Sequence, residues 1–325
     1  MADFIIDEDF PKSEIEFDQR FSQPQGCFDY LFKQTWPNGF VCKKCGYQRY
    51  WLSSRNLYIC TRCEHQHSLT AGTIMDSSKK PITYWFKAMW WFTTRRSGIN
   101  AVNLKELLGL GSYATAWTWL QKLRRCTIRE NREKLSGRVE VDEFTIGGQH
   151  PGKRGRGAEG KTIVTAAVER PGNKKQIGRI RLHIALNYSG YSLKNFILGN
   201  IEAGSTIATD QWSSYNSIDK ERYNHEITNQ SKSNDYDKLY GVHLVVTLVK
   251  RLIRGTFHGR FEPKYLQNYL DEYVFRFNRH KSSNIGKKFM RIVQQALKTN
   301  PVTWREIPWD IDILSEHLVI FTGAL

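Results

Sequence analysis

Four cysteines are spaced to hold a metal ion. Cys42 and Cys45, then Cys60 and Cys63, read C-x2-C, fourteen residues, C-x2-C. A two-residue spacer lets both thiolates of a pair reach one ion from a tight knuckle, and a structural Zn²⁺ takes four such ligands in a closed tetrahedron. His65 and His67 follow at once, but four thiolates already fill the shell, so both read as surface residues. The other residues able to do chemistry are carboxylates on strands. GRVEVDEFTIGG at 137–148 alternates so that Glu140 and Asp142 share one face while Glu143 points to the other, and STIATDQW at 205–212 carries Asp210 at the end of a short strand. Carboxylates on neighbouring strands can hold two divalent cations about 3.5 to 4 Å apart, which stabilise the attacking and leaving oxygens of phosphoryl transfer. Mg²⁺ or Mn²⁺ suits such oxygen ligands. A lone aspartate at a strand end also serves as a cap or turn residue.

The elements around these residues fall into three segments. Residues 36–80 hold the cysteines, with Tyr50, Leu52, Leu57, Tyr58 and Ile59 as short strands, the pattern of a zinc ribbon. Residues 81–130 turn helical. Pro81 opens a run with Trp85, Phe86, Met89 and Trp90 at helical spacing; a second helix over 101–108 turns Leu104, Leu107 and Leu108 inward; a Gly-containing turn precedes a third with Tyr113, Ala116, Trp117, Leu120 and Leu123 inward, ending among Lys122, Arg124 and Arg125. Such an array fits a helix-turn-helix-like DNA-binding segment, and a plain three-helix domain shows the same periodicity. From 137 the period becomes that of strands. KTIVTAAVER at 161–170 is mostly apolar, and IGRIRLHIAL at 177–186 sets Ile180, Leu182, Ile184 and Leu186 against a wet face of Arg179, Arg181 and His183. A helix from about Ser192 and the strand bearing Asp210 complete an α+β order known for nucleases of the RNase H type, and a later helix over 264–278 reads as packing against the sheet.

Charge narrows the partner. The chain of 325 residues has 48 Lys+Arg against 32 Asp+Glu, net +16, and the first 40 residues are acidic, with three basic and eight acidic residues. The rest therefore carries +21, which suits a polyphosphate such as nucleic acid, although a solvated basic surface is the plainer alternative. GKRGRGAEGK at 152–161 places Lys153, Arg154 and Arg156 on a Gly-rich loop after the first acidic strand, where backbone can approach phosphates. Trp212 and Tyr215 could stack on an exposed base or pack in the core. No run of about 18 apolar residues is present and MADFIIDEDF lacks the features of a signal peptide, so the expected setting is cytoplasmic, without a membrane. Cys27 and Cys126 read as buried thiols.

VEVDEFTIGG at 139–148, RGRG at 154–157, ATDQWSSY at 208–215, and LVKRLIRGTFHG followed by YLDEYVFRFNRH up to 280 resemble the DDE-type transposases of bacterial insertion sequences. Within them the chain is similar to the zinc-ribbon-bearing group related to eukaryotic Merlin elements, from Trp36 to about Ala296. The chain is thus expected to hold an acidic segment 1–35, a zinc ribbon 36–80, a helical DNA-binding segment 81–130, a catalytic domain 137–298, RNase H-like by the resemblance, and a tail 299–325. It implies metal-dependent cutting at transposon ends and joining of the freed 3′-OH to target DNA, on terminal inverted repeats, by a homo-oligomer such as a dimer, in a bacterial host and at its nucleoid. Asp142 and Asp210 match the first two acidic residues. Many relatives carry a Glu about 33 residues after the second Asp and seven before a Lys-Arg pair; here the pair is Lys250-Arg251, and His243 stands in place of the Glu. Seven residues turn a helix by about 700°, so His243 and Lys250 share a face. His243 is thus the expected third ligand, with Lys250 and Arg251 on DNA. The departure keeps a second reading open, a catalytically degenerate or co-opted transposase that only binds DNA. A structure-selective nuclease would share the fold and metals.

Overall fold

The computed structural model describes residues 9–95, 98–129, 131–147, 161–172, 176–228, 239–256, 261–282 and 284–307. Residues up to Thr127, with Lys281–Ile307, form one unit, and Ile128–His280 form a second. The first unit opens with helices α1 (Glu14–Phe21) and α2 (Pro24–Thr35), then a three-stranded antiparallel sheet of β1 (Tyr50–Leu52), β2 (Tyr58–Cys60) and β3 (Gln66–His67). Helices α3 (Ile82–Thr94), α4 (Ala101–Leu108) and α5 (Tyr113–Arg125) follow. The second unit holds β4 (Arg138–Ile146), β5 (Thr162–Glu169), β6 (Ile180–Ala185), α6 (Gly190–Asn200), β7 (Thr206–Thr209), β8 (Asn224–Ile227), α7 (Tyr240–Thr256) and α8 (Pro263–Phe277). Helix α9 (Ile285–Ala296) then returns to the first unit.

Aromatic side chains at helical spacing build the core of the first unit. Phe17 and Phe21 of α1, Tyr30 of α2, and Phe86 and Trp90 of α3 surround Phe289 of α9, whose ring centroid lies 5.4 Å from that of Phe17 and 5.8 Å from that of Phe86. The acidic segment thus supplies two core helices, and α9, which lies within the 137–298 span of the sequence reading, packs here instead. Helices α4 and α5 also differ in rotation from the sequence expectation. Leu107 of α4 is 47% exposed, and α5 turns Ala116, Trp119, Leu120 and Leu123 inward, with Trp119 stacked on Trp85 at 4.0 Å. Tyr113 is exposed. That inward set carries the basic end of α5 with it: Arg124 is only 2% exposed, Arg125 donates to Glu306 O at 3.0 Å, and Lys122 reaches Ile74 O. Of the charges on this helix end, Arg124 is taken into the unit's interior, while Lys122 and Arg125 stay half-buried against its own backbone.

In the second unit the sheet runs β6-β5-β4-β7-β8. The first three strands are antiparallel, and β7 and β8 run parallel to β4, which is the RNase H-like arrangement with β4 central. Val139 and Val141 point into a core with Leu193, Phe196 and Ile197 of α6 and Ile207 of β7. The alternate residues of β4 face α7. Strand β6 has no wet face: Arg181 is buried, donating to Glu133 O at 2.6 Å, and burial with the nearby Arg132 charge pushes the His183 imidazole down to about 4. Helix α8 closes the open edge of β6. Gln267 accepts from Ile184 N at 2.9 Å and donates to Leu182 O, and Asn278 does the same for both backbone groups of Ile180, so two side-chain amides replace a missing strand.

Candidate active site

In the first unit the four thiols lie within 4.8 Å of one another, with Cys42 and Cys63, and likewise Cys45 and Cys60, 3.6 Å apart. A tetrahedron of Zn–S bonds of about 2.3 Å has edges of about 3.8 Å, so the donor set fits a structural zinc ion. Each knuckle turns through a left-handed residue just after its second cysteine, Gly46 at φ 72° and Glu64 at φ 55°. Their N–H groups bond back to Cys42 O and Cys60 O. His67 departs from the sequence expectation. It is 5% exposed, its Nε2 lies 3.4 Å from Cys42 Sγ, and its ring meets Trp36 and Phe40 edge-on, so it buttresses a ligand. His65 is exposed.

In the second unit the three expected metal ligands converge. Asp142 stands on central β4, 21% exposed, its Oδ1 accepting the backbone N–H of Glu143 at 2.9 Å. The parallel pairing sets Glu140 opposite Ala208, and Asp210 follows just past the end of β7, close enough for its charge to act on His243, and on Tyr215 together with that of Asp142. Asp210 Oδ1 caps its own loop by accepting Trp212 N at 3.0 Å. His243, on α7 and 25% exposed, places Nε2 3.8 Å from Asp142 Oδ2. Burial holds its imidazole below the ordinary histidine range, opposed by the negative charges of Glu140 and Asp210. The neutral form is the one able to ligate a metal.

Lys250 lies on the same helix face as His243, its Nζ 5.6 Å from the Phe144 ring centroid. With Thr247, Arg251, Arg254 and Gly255 it lines a surface cavity of about 570 Å³. Arg254 was not singled out in the sequence, although its spacing of four from Lys250 puts it on the same stripe. Lys153, Arg154 and Arg156 lie outside the described residues. Of the two aromatics after Asp210, Tyr215 is core, its hydroxyl donating to Glu143 Oε2 at 2.9 Å, and Trp212 is exposed with its indole N–H on Ser214. Glu140 is fully buried and bound to arginines, a role its alternation with Asp142 did not disclose.

The model of the ISXO2-like transposase domain matches residues 134–278, and that of the transposase zinc-ribbon domain matches residues 25–66. Together they span more than half of the chain and contain every one of the four cysteines, both aspartates and His243. The chain belongs to the DDE-type insertion-sequence transposases. No curated protein matches it significantly. Within this family the zinc ribbon and transposase domain point to DNA as partner, and among the described residues no helix is long and apolar enough to cross a membrane.

Proposed function

We propose that the chain cuts DNA at the ends of its transposon and joins those ends to target DNA, with Asp142, Asp210 and His243 holding Mg²⁺ or Mn²⁺. The observation that carries this reading is the meeting of His243 Nε2 and Asp142 Oδ2 at 3.8 Å, from elements 101 residues apart in sequence, with the charge of Asp210 acting on the same imidazole. The donors fit such a cation: two partly exposed carboxylates and an imidazole whose burial favours its neutral form. When bound, the cation supplies charge stabilisation to the attacking and leaving oxygens. Lys250, Arg251 and Arg254 hold the phosphate backbone beside those ligands, and the zinc ribbon, with the helices around it, engages the terminal inverted repeats. Pairing of two ends calls for at least a dimer.

Incubation of purified protein with Mg²⁺ or Mn²⁺ and the DNA flanking its gene, scoring cleavage and joining separately, tests the proposal. Asp142→Asn and Asp210→Asn are expected to abolish both steps while end binding persists, because the carboxylates serve the cation. Cutting that survives in either variant removes that residue from the site. Binding without cutting by the parent protein would support the second reading, a transposase retained as a DNA-binding protein, which the histidine in place of a glutamate motivates.

A further inference from the structure

Glu140 stands two residues before Asp142 on the same face of β4, with none of its surface exposed. Its Oε1 accepts from Arg138 Nη1 at 3.0 Å and lies 3.2 Å from Arg170 Nη1, and its Oε2 accepts the backbone N–H of Val242 at 2.9 Å. Val242 is in the first turn of α7, where N–H groups lack partners inside the helix and a negative charge is favoured. A buried carboxylate engaged this way is a poor cation ligand, since binding one would strip two arginines of their counter-charge.

The approach of α7 to this network is close. A Cβ on Gly241 would stand 2.5 Å from Arg170 Nη1 and 2.9 Å from Glu140 Oε2, so the helix start comes this near only because residue 241 has no side chain. Arg170 also lies over the ring of Tyr240, 5.8 Å from its centroid. Of the three residues before His243, Tyr240 meets Arg170, Val242 bonds to Glu140, and Gly241 lets the helix start approach both. We propose that Glu140, with Arg170, is the positioning residue that sets His243 beside Asp142. One strand thus carries both a ligand and the anchor for the helix that brings another. The inference rests on the cation site proposed above.

The test reads Mn²⁺ binding to the full-length, zinc-loaded protein by the paramagnetic resonance signal of the free ion, without any DNA. Partners that orient metal ligands contribute about 10- to 100-fold to metal affinity, and that loss is expected for both Glu140→Gln and Gly241→Ala. Glu140→Gln leaves buried arginines under-compensated and could fail to fold. Gly241→Ala keeps every charge, and zinc content with the thermal unfolding midpoint confirms its fold. In a His243→Ala background, Gly241→Ala is expected to cause no further loss, because the ligand it displaces is gone. Parental Mn²⁺ affinity in folded Gly241→Ala, or a further loss in the double variant, would overturn the positioning role alone. Unchanged affinity in Asp142→Asn would instead remove the cation site itself, so the two failures are told apart.

Discussion

At the residue that departs from its relatives, chemistry makes a sharp demand. If His243 supplies the third ligand, His243→Ala should lower cleavage by orders of magnitude, and His243→Glu, which restores the carboxylate many relatives carry, should retain or partly recover it. Parental cleavage in His243→Ala, with zinc content unchanged, would make the histidine a bystander and place the third ligand elsewhere. The four cysteines invite a plainer measurement. Their binding energy is also folding energy, so the purified protein should contain about one Zn²⁺ per chain, and Cys60→Ser, in the buried strand β2, should lose both the ion and the fold of the ribbon. Less than half an equivalent with four free thiols would refute it. Residue types and spacing disclosed these ligands because thiolates and carboxylates advertise their chemistry. His67 escaped because what decides its role is the wall formed by Trp36 and Phe40, and neither ring's position can be read from the spacing of the cysteines.

At the scale of elements, α8 against β6 shows why alternation along a strand does not by itself report an exposed face. Alternation along β6 was plain, yet the supposed wet face is covered, since Arg181 finds backbone carbonyls and α8 brings Gln267, Asn268, Asp271 and Glu272 inside. Polar residues on a helix signal solvent only when nothing polar awaits them, and the open edge of β6 is such a partner. Likewise the apolar stripe of α5 is legible in the sequence while its rotation is not, because Trp117 and Trp119 flank the inward line and the stack of Trp119 on Trp85 decides between them. A pH experiment follows from the same covered region. Burial pushes the Asp271 carboxyl up to about 7, and it pushes His183 down to about 4. Between pH 4.5 and 6.5 the folded chain therefore keeps a proton on Asp271 and none on His183, while the unfolded chain does the reverse. The two contributions to the pH slope cancel. In Asp271→Asn only the histidine contribution remains, and a depressed histidine loses stability as pH falls. The stability of this variant relative to the parent should rise from pH 4.5 to 6.5, by about 1 to 3 kcal/mol. His183→Gln should show the opposite trend, and flat differences in thermal unfolding for both would mean the two groups are solvated after all.

Over the whole molecule, the net charge of +16 raises the question of which basic residues meet DNA. Counting charge by segment cannot answer it, because some cations are internal: Arg124 is buried, and Arg170 and Arg138 neutralise Glu140. Lys250, Arg251 and Arg254 are different, lining an open cavity along the helix that carries His243. Each phosphate neutralised releases counterions, so the slope of log affinity against log salt concentration steepens by about 0.9 per contact on duplex DNA. Neutralising all three residues to Ala should therefore flatten that slope by about 2.7 if each one meets a phosphate, measured by fluorescence anisotropy on a duplex of arbitrary sequence. Arg124→Ala removes the same formal charge per substitution but from the interior, and should leave the slope unchanged while lowering thermal stability. Asp142→Asn likewise should not steepen it by a full contact, since a carboxylate that holds a cation is not itself a phosphate contact. A triple variant with the parental slope would show that the DNA path avoids α7. In that event the surplus positive charge would have to be sought on the zinc ribbon, where Lys43, Lys44, Arg49, Arg55 and Arg62 are all exposed.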